Sequence, residues 1–264
     1  MQFEDLAYTV TENVGLITLN RPEVLNALRR ETFSELAAVL QEAGQDEKVR
    51  SLVITGKGKA FSAGQDLSEL GSLAGQEVDY FEIRNSVEQM QKITRLILDL
   101  RKPVIAAVNG YAIGAGAELA IACDIRYASE KASFEFAEVK VGLFETNGVT
   151  WLLPRLIGLG RAKELMLAGK RVNAEEAFQI GLVTAVFSPE SLLDNALAAA
   201  SKMARYAPVS MRFLKSLLNK SGEIGLDEAM VYETDALMTC LYTEDVREGA
   251  AAFMEGREPK FKGR

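Results

Sequence analysis

Strand-like apolar runs alternate with segments of helical period along the first 187 residues, and after Ser188-Pro189 the strand signals stop. No other feature constrains the fold so strongly. Alternation of the two periods is the mark of a layered α/β architecture. Residues 8–19 read as a hairpin turning near Glu12-Asn13. Phe33, Leu36, Ala37 and Leu40 recur at helical spacing over 31–44, with Gly44 as a stop. Residues 51–55 form a buried strand ended by Gly56, 59–75 a loop opening into mixed helix, and 79–100 an amphipathic helix. A second buried strand, VIAAV, follows Pro103 and ends at Asn109-Gly110; 114–122 is a small-residue helix, and 124–136 holds two strands around a Ser-Glu-Lys turn. Asn173 and Glu176 make a capping box for a helix that Gly181 ends. Beyond 188 the pattern predicts helices over 189–206, 208–219 and 226–255, then a basic irregular tail. The expected organisation is a core of residues 1–188 and a helical region of 189–264.

Histidine is absent from the 264 residues, which excludes a Ser-His-Asp triad, a Cys-His pair and any His-ligated metal. Acid–base chemistry near neutral pH then falls first to carboxylates whose pKa the fold has moved. Cys123 and Cys240 are too few for a disulfide framework or a four-cysteine zinc site, which fits a reducing cytoplasmic setting. The N-terminal MQFEDLAYTV lacks the pattern of a signal peptide, and the apolar stretch from Val104 to Cys123 is interrupted by Asn109, three glycines and Glu118, so no membrane span is expected. A net charge of −7 argues against general nucleic-acid binding.

Three segments carry candidate chemistry. The loop Lys59–Leu67, built of small residues around Gly64, lets a ligand approach the main chain, so its N–H groups can polarise a carbonyl; an ordinary strand-to-helix turn explains the same residues. In the run Asn109–Leu119 the glycines at 110, 114 and 116 match neither a dinucleotide fingerprint nor a phosphate loop. They do place free amides at a helix start. Glu118 lies three residues beyond Ala115, and helical side chains tilt toward the N-terminus, so its carboxylate can point back to that amide. Its apolar neighbours weigh against a solvent-facing role. In the third segment, Phe134–Gly148, Glu138 follows a strand and Glu145 comes seven residues later, while Glu135 reads as an ordinary surface acid. Carboxylates meeting in one apolar pocket raise at least one pKa.

Together these segments resemble the enoyl-CoA hydratase/isomerase family, the crotonase-like proteins. The residues that carry the resemblance are Leu19-Asn-Arg-Pro22, Leu25-Asn-Ala27, Phe61-Ser-Ala-Gly-Gln-Asp66, Pro103-Val-Ile-Ala-Ala-Val-Asn-Gly110, Cys123-Asp124, Trp151-Leu-Leu-Pro-Arg155, Gly181-Leu-Val183 and Phe253-x-Glu255-x-Arg257. The resemblance implies a spiral of ββα units with a C-terminal helical region that drives trimers, often dimers of trimers. It implies an acyl-CoA thioester substrate, with coenzyme A part of that substrate and no separate cofactor or metal. By position, the amides that hold the thioester oxygen are those of Gln65 and Ala115, where the family's usual glycine is replaced by Ala115. Ala63, Asp66, Leu67 and Ser68 match the region that takes adenine and pantetheine. Family hydratases carry two glutamates twenty residues apart, as Glu118 and Glu138 are. The implied roles are water activation by Glu118 and proton transfer at the α carbon by Glu138.

One departure matters. Glu145 stands where the family commonly has proline, and some isomerases of the family carry an acid at the place of Thr146. Glu145 is either a third pocket acid or a surface acid. Trp151 with Leu152, Leu153 and Pro154 reads as core packing. Arg257, Lys260, Lys262 and Arg264 either meet a neighbouring subunit's nucleotide or form a solvated terminus. The leading expectation is a 2-enoyl-CoA hydratase; the alternatives are a Δ3-Δ2 enoyl-CoA isomerase, in which Glu138 alone shuttles the proton, a non-catalytic acyl-CoA-binding subunit, and RNA binding, which the net charge disfavours.

Overall fold

The computed structural model describes residues 3–66, 68 and 79–264. Its first element is the expected hairpin. Glu12 and Asn13 take φ of 49° and 68°, the left-handed pair a two-residue hairpin turn requires, and they join β1 (Leu6–Thr11) to β2 (Val14–Leu19) in antiparallel register. From β2 the sheet continues in parallel through β3 (Ser51–Gly56), β5 (Val104–Val108), β7 (Ile125–Ser129) and β10 (Ala185–Phe187). A second sheet is made of β4 (Ala60–Ser62), β6 (Tyr111–Ile113), β8 (Ser133–Glu135) and the antiparallel β9 (Val172–Asn173).

Each turn of the spiral thus runs up a strand of the first sheet, rounds a corner and adds a short strand to the second. The corners stack on one another closely enough to dictate their residues. A β-carbon on Gly110 would lie 1.9 Å from the Lys59 carbonyl oxygen. The Asn109 side chain accepts from Gly56 N–H at 3.0 Å and donates to the Gly58 and Ala60 carbonyls at 3.0 and 3.1 Å. Asn26 does the same from the other side, donating to Lys57 and Ala60 carbonyls at 3.0 and 2.8 Å. These asparagines bond the carbonyls that line the corner between β3 and β4.

The helices among the described residues are α1 (Arg30–Gln45), α2 (Tyr80–Asp99), α3 (Ala115–Ala122), α4 (Val149–Ile157), α5 (Leu159–Leu167), α6 (Ala174–Gln179), α7 (Leu192–Ala204), α8 (Pro208–Lys220), α9 (Leu226–Leu241) and α10 (Glu244–Glu255). Phe33, Leu36, Ala37 and Leu40 of α1 are all buried, but the helix passes through Gly44 and is capped at Asp46. The 226–255 helix breaks at Tyr242-Thr243, where the Thr243 hydroxyl accepts from Val246 N–H at 3.3 Å.

The uniformly apolar strands are buried on both faces, as parallel strands under helices are. Leu52 and Ile54 of β3 face one cluster with Leu36 and Leu40 of α1 and Ile97 of α2. Val53 and the β5 residues Ile105 and Ala107 face another with Leu192, Ala196, Ala200 and Ala204. The alanine stripe lets α7 lie close, and Ser51 Oγ donates to the Ala200 carbonyl at 2.9 Å. The change of character at 188 is therefore a change of secondary structure, with the first helix after it still covering the sheet. Lys215 of α8 is buried and donates to Ile97 O, Lys102 O and Asp124 Oδ2 at 2.8, 3.0 and 2.7 Å. Asp124 in turn accepts from Val104 N–H at 2.7 Å, so the Cys123-Asp124 pair anchors the start of β5.

The basic tail is irregular but docked. Asp245 accepts from Lys262 and Gly263 N–H at 2.6 and 2.8 Å, and Arg50 donates to the Phe261 carbonyl at 2.8 Å. Arg257 pairs with Glu248 and Glu255 of its own chain, both at 2.6 Å. Among the described residues no helix is long and apolar enough to cross a membrane.

Candidate active site

The site lies where the loop after β4 meets the start of α3. Asn20-Arg21-Pro22 and the following turn hold that loop. Ala63 N–H donates to Leu25 O at 2.9 Å, and Arg21 donates to Asp66 Oδ2 at 3.0 Å. Leu28 N–H donates to Gly64 O at 2.8 Å and Leu28 O accepts from Asp66 N–H at 2.9 Å. Pairing through 64 and 66 turns the intervening Gln65 N–H to the opposite side, where it has no acceptor among the described residues. Ala115 opens α3, so its N–H belongs to the first turn and has no intrahelical partner, nor any other among the described residues. The two segments touch: a β-carbon on Gly64 would lie 2.7 Å from Ile113 O and 3.5 Å from Ala115 N. Asp66 is occupied structurally, since Ser68 Oγ and N–H also reach its Oδ1 at 2.7 and 3.1 Å, and these bonds hold its carboxyl below the usual range. Ser68 is exposed; Leu67 lies outside the described residues, as does most of the stretch read as mixed helix.

The helix dipole and orphan amides at α3 face a carboxylate. Gly114, at φ +50°, has Glu138 Oε1 only 2.6 Å from where a β-carbon would be. Any side chain there would displace Glu138 and strain the backbone. Glu138 begins a 3-10 turn, Glu138–Val141, and its Oε2 is buried with no donor among the described residues.

Glu118 is 1% exposed. Its Oε1 accepts from Thr146 and Asn147 N–H at 3.1 and 3.2 Å, and its Oε2 from Asn147 Nδ2. Burial pushes its pKa up, repulsion from Glu138 adds to this, and the Asn147 and Thr146 bonds oppose it. The loop that supplies these donors is itself held by α2: Gln91 Nε2 and Thr94 Oγ1 donate to the Thr146 and Asn147 carbonyls, each at 3.0 Å. Sequence reading missed all four residues. Asn147-Gly148 reads as a turn dipeptide, and that signal hides an asparagine whose side chain grips a carboxylate.

Glu145 is the third pocket acid. It is 7% exposed, and carboxylate oxygens of Glu118, Glu138 and Glu145 lie within 4.8 Å of one another. Neither Glu145 oxygen has a donor, and no Lys or Arg pairs with any of the three among the described residues. Burial, then the neighbouring Glu138 and Glu118, push its pKa to about 9. It is therefore a neutral acid at pH 7, able to donate to either neighbour. Such a triad of oxygens has the reach to hold one divalent cation, but a protonated Glu145 relieves the same repulsion without one. A raised folded-state pKa stabilises the protein fully below the ordinary 4.5, and that contribution fades as pH climbs toward 9. Thermal unfolding followed across that window should show stability falling with pH in the wild type and a flatter curve in Glu145→Gln.

One expectation is corrected here and another holds in part. Glu135 is buried, not a surface acid; burial opposes its charge, yet hydrogen bonds from Lys140 (2.7 Å) and Arg171 hold its carboxyl below the usual range. The core-packing reading of the 151–154 run holds for Leu153, which is in the core, and Leu152, which packs against it; Trp151 departs from it, half-buried with the Arg155 guanidinium 3.7 Å from its ring centre.

Similarity to known proteins extends along the whole chain. The sequence profile of the enoyl-CoA hydratase/isomerase family matches residues 9–264. The chain belongs to the enoyl-CoA hydratase/isomerase family. Among family members it is 38% identical to a crotonyl-CoA hydratase of Syntrophomonas wolfei over 262 residues, 99% of each chain. It is likewise 38% identical to a short-chain-enoyl-CoA hydratase of Clostridium acetobutylicum over the full length of both. The crystal structure of an enoyl-CoA hydratase from Bacillus anthracis superposes with a TM-score of 0.93 at 36% identity, covering 99% of this chain and 100% of that one. The crotonase spiral expected from the motifs is the fold of this family member.

Proposed function

We propose that the chain is an enoyl-CoA hydratase, adding water reversibly to a 2-enoyl-CoA thioester to give the 3-hydroxyacyl-CoA. One observation carries the reading: the unpartnered Gln65 and Ala115 amides, on the loop after β4 and at the start of α3, stand beside two converging carboxylates, buried Glu118 and half-buried Glu138, the latter packed on Gly114. The Gln65 and Ala115 N–H groups receive the thioester oxygen and stabilise the enolate as charge builds there, each donor contributing about 3–4 kcal/mol. Glu118, seated by its three donors, positions water against the β carbon and takes its proton. Glu138 gives a proton to the α carbon. A double-bond isomerase needs only Glu138; the care with which Glu118 is held supports water activation. Ala63, Asp66, Leu67 and Ser68 are assigned, by their place in the sequence, to the pantetheine and adenine. Coenzyme A is part of the substrate and no cofactor takes part.

Exposed apolar side chains on the last two helices, among them Met230, Val231, Leu237, Phe253 and Met254, support assembly into a trimer or a dimer of trimers. The free thiols of Cys123 and Cys240 accord with a cytoplasmic setting. The test is a panel of enoyl thioesters differing in length and double-bond position, with products identified by mass and by incorporation of labelled water. Water should enter 2-enoyl substrates, at a rate unchanged by EDTA. Saturable binding without product would point to a non-catalytic subunit, and double-bond migration without water to an isomerase.

A further inference from the structure

We infer that Glu145 is a proton relay between Glu118 and Glu138, returning to Glu138 the proton that each hydration leaves on Glu118. The inference rests on the hydratase reading above and adds a step to it.

Glu145 follows the turn that begins with Glu138 and immediately precedes the two amides that grip Glu118, and the loop held by Gln91 and Thr94 turns it inward between them. Its carboxylate is nine-tenths buried, has no donor among the described residues, and lies within 4.8 Å of both neighbours' oxygens. The groups that face it are Glu118 from α3 and Glu138 from the 3-10 turn, both acids. Glu138 Oε2 is itself buried without a donor. A neutral carboxyl at this position supplies what the geometry lacks: one O–H to give and one oxygen to accept with.

The proton balance gives this a use. In hydration the water oxygen bonds to the β carbon and its proton passes to Glu118, while the Glu138 O–H breaks and its proton bonds to the α carbon. Turnover therefore ends with Glu118 protonated and Glu138 ionised, the reverse of the starting state. If Glu145 passes its proton to Glu138 as its other oxygen accepts the proton from Glu118, the starting state returns and Glu145 is again neutral. No oxidant, metal or further reactant is needed.

The experiment compares single-turnover and steady-state hydration of crotonyl-CoA. Glu145→Gln keeps the size of the side chain but cannot pass a proton through. Its first turnover should stay within about twofold of wild type while the steady-state rate falls roughly tenfold or more, giving a burst. Glu145→Asp should recover part of the steady-state rate. Equal losses in both phases of Glu145→Gln, or no loss in either, would overturn the relay. Failure of the wild-type chain to hydrate any 2-enoyl thioester would instead overturn the hydratase reading itself.

Discussion

Glu138→Gln should cut hydration of crotonyl-CoA by about 10²–10⁴-fold, the usual worth of a positioned acid–base group, with little change in KM. The substitution is a clean one. Glu138 Oε2 accepts from no backbone or basic donor among the described residues and Oε1 packs on Gly114, so an isosteric amide alters only the contact with the Glu145 carboxyl. Unfolding temperature should stay near that of wild type while loss of the conjugated enoyl absorbance almost stops. Glu118→Gln should cost activity on the same scale, but it must also place an NH2 group among three donors, from Thr146 N, Asn147 N and Asn147 Nδ2. A small loss of stability should therefore accompany it. Wild-type rates in Glu138→Gln would remove the acid–base assignment, whereas wild-type rates in Glu118→Gln alone would leave proton shuttling by Glu138 and favour double-bond migration.

Gly110→Ala should be the most damaging single methyl group among the glycines of the described residues. Its β-carbon would fall 1.9 Å from the Lys59 carbonyl oxygen and 3.2 Å from Ala60 Cα, both backbone, so no side-chain rotation relieves the clash. The corner between β5 and β6 would have to move off the corner between β3 and β4, breaking the Asn109 bonds to Gly58 and Ala60. A cost of about 4 kcal/mol or more puts it among the exceptional substitutions. At that size the melting temperature falls by roughly 8–16 °C, or the protein is not recovered folded. Gly160→Ala is the matched control: nothing lies within 4 Å of its β-carbon position, it is exposed in α5, and alanine favours helix by ~0.5–1 kcal/mol. Calorimetry of the two variants checks both signs.

Much of the fold was legible because the signals were local. The Glu12-Asn13 turn, the Asn173–Glu176 box and the apolar β3 and β5 runs each state their structure within a few residues. The site was legible in part for the same reason: Glu118 follows Ala115 by a helical turn, so the helix itself brings acid and amide to one end. Glu135 was misread because its partner Arg171 is brought to it by the β8–β9 pairing, which no local pattern announces, while Lys140 reaches it from the turn that follows. The long 226–255 helix was misread because the Thr243 cap competes with helical continuity, and only packing decides between them.

The sequence by itself determined the alternation of elements, the absence of imidazole chemistry, and the spacing that puts one acid on α3 and another after β8. Which of the acids converge was decided by tertiary structure alone. Glu145 could have pointed to solvent as far as its neighbours in the chain are concerned. Gln91 and Thr94 of α2, some fifty residues away in sequence, hold the 145–148 loop so that it turns inward. Once there, removal from water and two neighbouring carboxylates set its protonation, because electrostatic energy depends on distance and dielectric in three dimensions and not on order along the chain.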